Sequence, residues 1–216
     1  MSAGNRYPVR SDSEMSSEEK ETYEFLKVVL SRHPPPHDHV SRGVTIPCMP
    51  IFSPTDLAQL ISPEGRVLGH FNTFSYLPGL VKPLFGTIAS VYALSIPPNV
   101  REVALFAVCA HFHSPYQAFV HGTTAKHNGS TLTAEQLEVL GRGERPGDLK
   151  PEEAVAWDVV KELHGSEKLT DETFEKAVSC IGKEQTLHLI VYVGMSSFTA
   201  IVAKGADVGL PYEKTS

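Results

Sequence analysis

Gln117 and His121 lie four residues apart in a stretch patterned as a helix, so their side chains share one face. An imidazole there can act as general acid or base near neutral pH. The Gln amide can orient the ring, but it carries no charge and moves no proton, as a Glu in its place would. Ser114 supplies a hydroxyl seven residues before His121. Seven residues of helix correspond to about 10 Å of rise, which excludes a Ser–His nucleophile pair. Structural readings stand beside these. Ser114 with Gln117 can form a helix capping box, as can Asn99 with Glu102, and His121 can be a satisfied core histidine. Tyr116 reads as packing with a hydroxyl able to orient a substrate.

The remaining histidines do not assemble a metal site. His111 and His113 are two apart and point to different sides of a helix, and His121 and His127 are six apart and off register. His37-Asp38-His39 falls in a proline loop. With no HExxH or Cys-rich spacing, no catalytic metal is expected. Cys48, Cys109 and Cys180 include no CxxC pair, which argues against a disulfide framework, a thiolate zinc site and a dithiol redox centre.

The elements that must position these groups read as helices. Residues 1–18 are polar, rich in Ser and Glu, and read as a disordered lead; 19–216 read as one all-helical domain. Tyr23, Leu26, Val29 and Leu30 give 18–31 a helical period, ended by His33-Pro-Pro-Pro-His37. Ser53-Pro54-Thr55-Asp56 starts another helix. Residues 69–80 and 81–94 read as two helices joined near Pro78 and Gly79. Asn99, with Glu102 three residues on, caps a helix running to about His113. Ser114-Pro115-Tyr116-Gln117 opens the next, through Ala125. Thr133-Ala134-Glu135-Gln136 caps a short one, and 151–164, 171–181 and 184–204 complete the set, with Gly205 as the last C-cap. No run alternates with period two, so the class is all-α.

At 216 residues, 41% hydrophobic and 20% charged, the chain can bury a core. A net charge of −6 argues against a dedicated nucleic-acid binder. The one candidate membrane span, 186–203, carries His188, Gly194, Ser196, Ser197 and Thr199 and reads as a buried helix, so no membrane partner is expected. Without an apolar leader, the expected compartment is the cytoplasm and the Asn128-Gly129-Ser130 sequon is chance.

Several short elements recur in a familiar order. Gly69-His70-Phe71-Asn72, followed by Leu80, precedes Arg101-Glu102 at the opening of one helix. Ser114-Pro115-Tyr116-Gln117-Ala118-Phe119-Val120-His121 opens the next. Gly141-Arg142-Gly143-Glu144-Arg145-Pro146, Leu169-Thr170-Asp171-Glu172 and 194–211 follow. Across 65–211 the chain resembles the carboxymuconolactone decarboxylase-like family of the alkylhydroperoxidase-like superfamily. In its thiol-peroxidase branch a Glu is followed by two Cys and then a His; the matching positions after Glu102 are Ser114, Gln117 and His121. A hydroxyl cannot cycle between thiol and disulfide, which disfavours thiol peroxidase chemistry. In the decarboxylase-like branch the Gln117 position is Glu, the Ala118 position is Trp, and a Gly-Tyr-Tyr element stands where Gly194-Met195-Ser196 is found here.

The resemblance implies an alkylhydroperoxidase/carboxymuconolactone decarboxylase-like helical bundle. It places the site between the helices begun at Asn99 and Ser114. It implies a cofactor-independent decarboxylase-like lyase acting on a small carbonyl- or lactone-bearing acid through an enolate-type intermediate. His121 would be the proton shuttle and Glu102 the group that fixes or ionises it. Tyr116, Gln117, His113, Asn72, His70 and Ser114 would bind the substrate. The alternatives are a dehydratase, isomerase or cyclase working on a polyketide-like natural-product intermediate, or a non-catalytic binding protein on the same scaffold. The family also implies a homo-oligomer, trimeric or hexameric.

Overall fold

The structure, a computed structural model, describes residues 5–31 and 60–210. The loop at His33 to His39, Cys48 and the helix start at Ser53 lie outside the described residues. Nine α-helices account for most of the described chain: α1 (Ser17–Ser31), α2 (Gly69–Phe74), α3 (Pro78–Tyr92), α4 (Pro98–Phe112), α5 (Pro115–Thr124), α6 (Ala134–Gly141), α7 (Pro151–Gly165), α8 (Asp171–Ile181) and α9 (Lys183–Gly205). Among the described residues there is no strand, only one antiparallel bridge between Ile61 and Val67. The all-α class is therefore shown.

The chain divides into two compact units, residues 1–93 with 202–216, and residues 94–201. In the first, α1 and α2 pack on α3. Leu26, Leu30, Val81 and Phe85 are buried there, and Tyr23 Oη accepts a hydrogen bond from Val67 N at 2.9 Å. The polar stretch before α1 carries contacts of its own. Arg10 pairs with Glu19 at 2.7 Å and lies 3.7 Å over the Tyr76 ring, Tyr7 meets Tyr76 edge-on at 5.2 Å, and Met15 is buried. A short 3-10 turn, Asp12–Glu14, precedes α1.

The second unit is built around α4. It packs on α7, α5 and α6, and α7 packs on α8. Every residue from Glu102 to Cys109 is buried, the pattern of a helix surrounded by its neighbours rather than lying on a surface. A histidine ties α7 to α9. His164 Nδ1 donates to Val160 O at 2.9 Å, Nε2 lies 2.8 Å from Ser197 Oγ, and the ring stacks on His111 at 4.5 Å and 17°. Helix α9 alone among the described helices has the length and mean hydropathy (1.6) of a membrane span, and 44% of that stretch is buried.

Three helix ends differ from the sequence expectation. The break between α2 and α3 falls at residues 75–77, with Pro78 at the first position of α3. Pro97 and Pro98 start α4 one residue before Asn99, because Pro at the first position comes with a helical φ and lacks only an N–H that would have no helical partner. Asn99 therefore lies inside the helix, and no capping box with Glu102 forms. Gly205 is the last residue of α9 rather than a left-handed cap, and Asp207 takes the positive φ, 56°.

Candidate functional site

The corner between α4 and α5 is only two residues long. His113 ends α4 in the left-handed conformation, φ 54° and ψ 53°, and Ser114 leads to Pro115 at the first position of α5. An L residue with a side chain pays about 1–2 kcal/mol for that conformation, which glycine or asparagine usually takes at a helix end. The tight corner folds α5 back on α4, so that side chains distant in sequence meet.

Glu102 on α4 and His121 in the last turn of α5 meet in this way. His121 Nδ1 lies 3.2 Å from Glu102 Oε2, and the side chains are 13% and 1% exposed. A carboxylate offers only acceptors, so Nδ1–H is the donor in this contact. Asn128 Nδ2 donates to the other carboxylate oxygen, Oε1, at 3.4 Å. The carboxylate is thus held from two sides, and released from the capping role that Asn99 would have given it. Asn128, read in the sequence only as part of a chance sequon, was missed. Its signal was weak, a buried-acid partner placed just beyond the end of α5.

Asn99 works elsewhere. Its Oδ1 accepts from Thr131 N at 2.8 Å and Ser130 Oγ at 3.1 Å, and its Nδ2 donates to Glu153 Oε1 at 2.6 Å. Glu153 Oε2 in turn caps α7 by accepting from Lys150 N at 2.9 Å.

Gln117 departs from its expected part as orienter of His121. Its Oε1 accepts from Ser114 Oγ at 2.8 Å and its Nε2 donates to Thr199 Oγ1 at 2.7 Å. Thr199 passes the chain on to Ser196 O at 2.9 Å. Ser114 makes no side-chain cap, so the Ser114–Gln117 capping box does not form either. Thr199 was not foreseen, because it lies 82 residues beyond Gln117. Tyr116 is 0% exposed and belongs to the core, a placement at odds with direct substrate contact.

A cleft of about 460 Å³ opens at the same corner. His113, Ser114 and Ala118 line it from the corner and α5, Cys109 and Ala110 from α4, and Leu140 to Gly143 from the end of α6. Gly143 has φ 80°, and a Cβ on it would come within 3.2 Å of Ala110 Cβ, so this wall is closed by direct backbone approach. The thiol of Cys109 is pushed far above its ordinary range, first by burial and then by the negative charge of Glu102. It remains a thiol and is a poor nucleophile. His121 is not among the lining residues, but it stands one helical turn beyond Ala118 on α5.

His70 and Asn72 belong to the first unit, on α2, whereas the other six expected site residues belong to the second. Both are buried. Asn72 Nδ2 donates to Tyr7 O at 2.8 Å, and the His70 ring packs 4.2 Å from Phe71. Among the described residues no group of three or more His, Cys, Asp or Glu side chains could hold a metal ion.

No protein-family model, curated protein or solved structure matches the chain.

Proposed function

We propose that the chain is a cofactor-independent, decarboxylase-like lyase of the carboxymuconolactone decarboxylase-like family, acting on a small carbonyl- or lactone-bearing acid. The observation that carries the reading is the contact of a nearly inaccessible carboxylate, Glu102, with the imidazole of His121. In the reaction the bond to the carboxylate carbon breaks and CO2 leaves. The electron pair passes into the substrate carbonyl as an enolate, and His121 delivers a proton to carbon. Glu102 holds the ring in one tautomer and balances the imidazolium when it forms. The family resemblance implies a homo-oligomer, trimeric or hexameric.

The test is incubation of the purified protein with γ-lactone and β-keto acids, following CO2 release and product mass. A second reading is favoured by Ala118, which lines the cleft where the family pattern carries Trp. The wider space suits a bulkier, polyketide-like intermediate, with His121 moving a proton in a dehydration, isomerisation or cyclisation. An isomerised or cyclised product keeps the substrate mass and a dehydrated one loses water, which separates these outcomes from loss of CO2.

A further inference from the structure

The cleft at the α4–α5 corner has a chemical character that the dyad does not explain. Its walls are apolar and small: Ala110, Pro115, Ala118 and Leu140. Of its other lining residues, Cys109 is almost wholly buried, and Ser114 already gives its proton to Gln117. Only two lining residues carry side chains able to bear positive charge, His113 and Arg142, and no carboxylate residue is among them. Arg142 is held from outside the cleft by Glu138 at 2.8 Å and, more loosely, by Glu144 at 3.7 Å. Both acids are mostly exposed, 74% and 64%, and exposed pairs of this kind contribute little. A bound anion can therefore draw the guanidinium inward without losing a strong partner.

His113 adds a second observation. A strained left-handed conformation at a residue with a bulky side chain persists where the surrounding structure imposes it, and such residues gather at ligand sites. Glycine would fill this cap without strain, whereas here a histidine that is among the residues lining the cleft takes it.

We propose that this cleft binds a small organic carboxylate, with Arg142 gripping the carboxylate, His113 as a second donor, and the Ala110–Ala118–Leu140 wall receiving a short apolar body. A guanidinium presents paired N–H groups that match the two oxygens of a carboxylate. The volume falls in the range of small-molecule sites. Identifying this anion with the substrate of the Glu102–His121 dyad rests on the reading above; the carboxylate site itself does not.

Calorimetric titration of the full chain with benzoate, benzamide and phenyl phosphate tests the assignment. Benzoate should bind, and benzamide, the same shape without charge, should bind about tenfold or more weaker. Arg142→Gln should lower benzoate affinity by roughly tenfold to a hundredfold with an unchanged thermal midpoint, and Arg142→Lys should recover part of it. His121→Ala should leave benzoate affinity unchanged. Absence of benzoate binding, or equal binding by wild type and Arg142→Gln, overturns the proposal. Tighter binding of phenyl phosphate overturns the carboxylate class. Benzoate bound as expected by a chain that turns over no acid would sink the lyase reading and leave this site intact.

Discussion

Glu102 and His121, 19 residues apart in sequence, meet at 3.2 Å with the carboxylate 1% exposed and the imidazole 13% exposed. An acid buried in the second turn of a helix packed on three neighbours is a costly residue to keep unless it is held by hydrogen bonds. Here the donors are an imidazole N–H and the Asn128 amide, so both oxygens of the buried carboxylate have a partner.

If the dyad moves a proton, His121→Ala lowers kcat by roughly 10²–10⁴-fold. Glu102→Gln should cost less, because the amide oxygen still accepts from Nδ1 while the charge that balances imidazolium is gone. Steady-state rates on a substrate found by CO2 release, with each variant checked for folding by circular dichroism, measure both. Near-normal turnover by His121→Ala removes the imidazole from the mechanism.

Asn99 holds the 130–131 segment and Glu153 together at the start of α4. Asn99→Ala takes the partner from the Glu153 carboxylate and the Ser130 hydroxyl, both on buried residues, and should destabilise the chain by about 1–3 kcal/mol in urea unfolding, with little change in slope. A change of a few tenths would mean that water replaces the amide without loss.

His164 supplies a pH dependence. Burial lowers its pKa below the ordinary 6.5; the hydrogen bond to Val160 opposes this, and neighbouring His111 and Lys161 reinforce it. A depressed folded value means the unfolded chain binds the proton first. The stability tied to the neutral ring is complete above 6.5 and is lost as pH falls from there through the folded value. Thermal midpoints of wild type should drop on acidification across this window. In His164→Gln the drop should be smaller, and an identical profile in the two proteins would exclude the ring as its source.

His113→Gly relieves the left-handed strain and should stabilise the fold by about 1 kcal/mol, raising the thermal midpoint, while benzoate affinity falls. A lowered midpoint would mean that the imidazole packs more than it strains.

Local chemistry made part of this fold readable from sequence. Thr133 and Gln136 form the reciprocal box their spacing predicts, at 3.1 and 3.0 Å, and Thr170 caps α8 through Thr173 N. Both involve partners three residues apart, which a short window contains. Asn99 misled because two prolines moved the helix start, and its amide then chose partners 32 and 54 residues away. Gln117 misled for the same reason, its amide being taken up by Thr199 on α9. For the dyad itself, helical spacing along α5 could not reveal Glu102, since the partner arrives on a different helix. Resemblance pointed to the pair, and tertiary packing brings it together.

The two-residue corner at His113 and Ser114 carries a consequence for how this protein can vary. One inserted residue there would change the direction and phase of α5 against α4. That would swing residue 121 away from its acid and tear Gln117 from Thr199 in a single event. Length changes should therefore be poorly tolerated at this hinge, where the phase of one helix against another is set by two dihedral pairs and a proline ring.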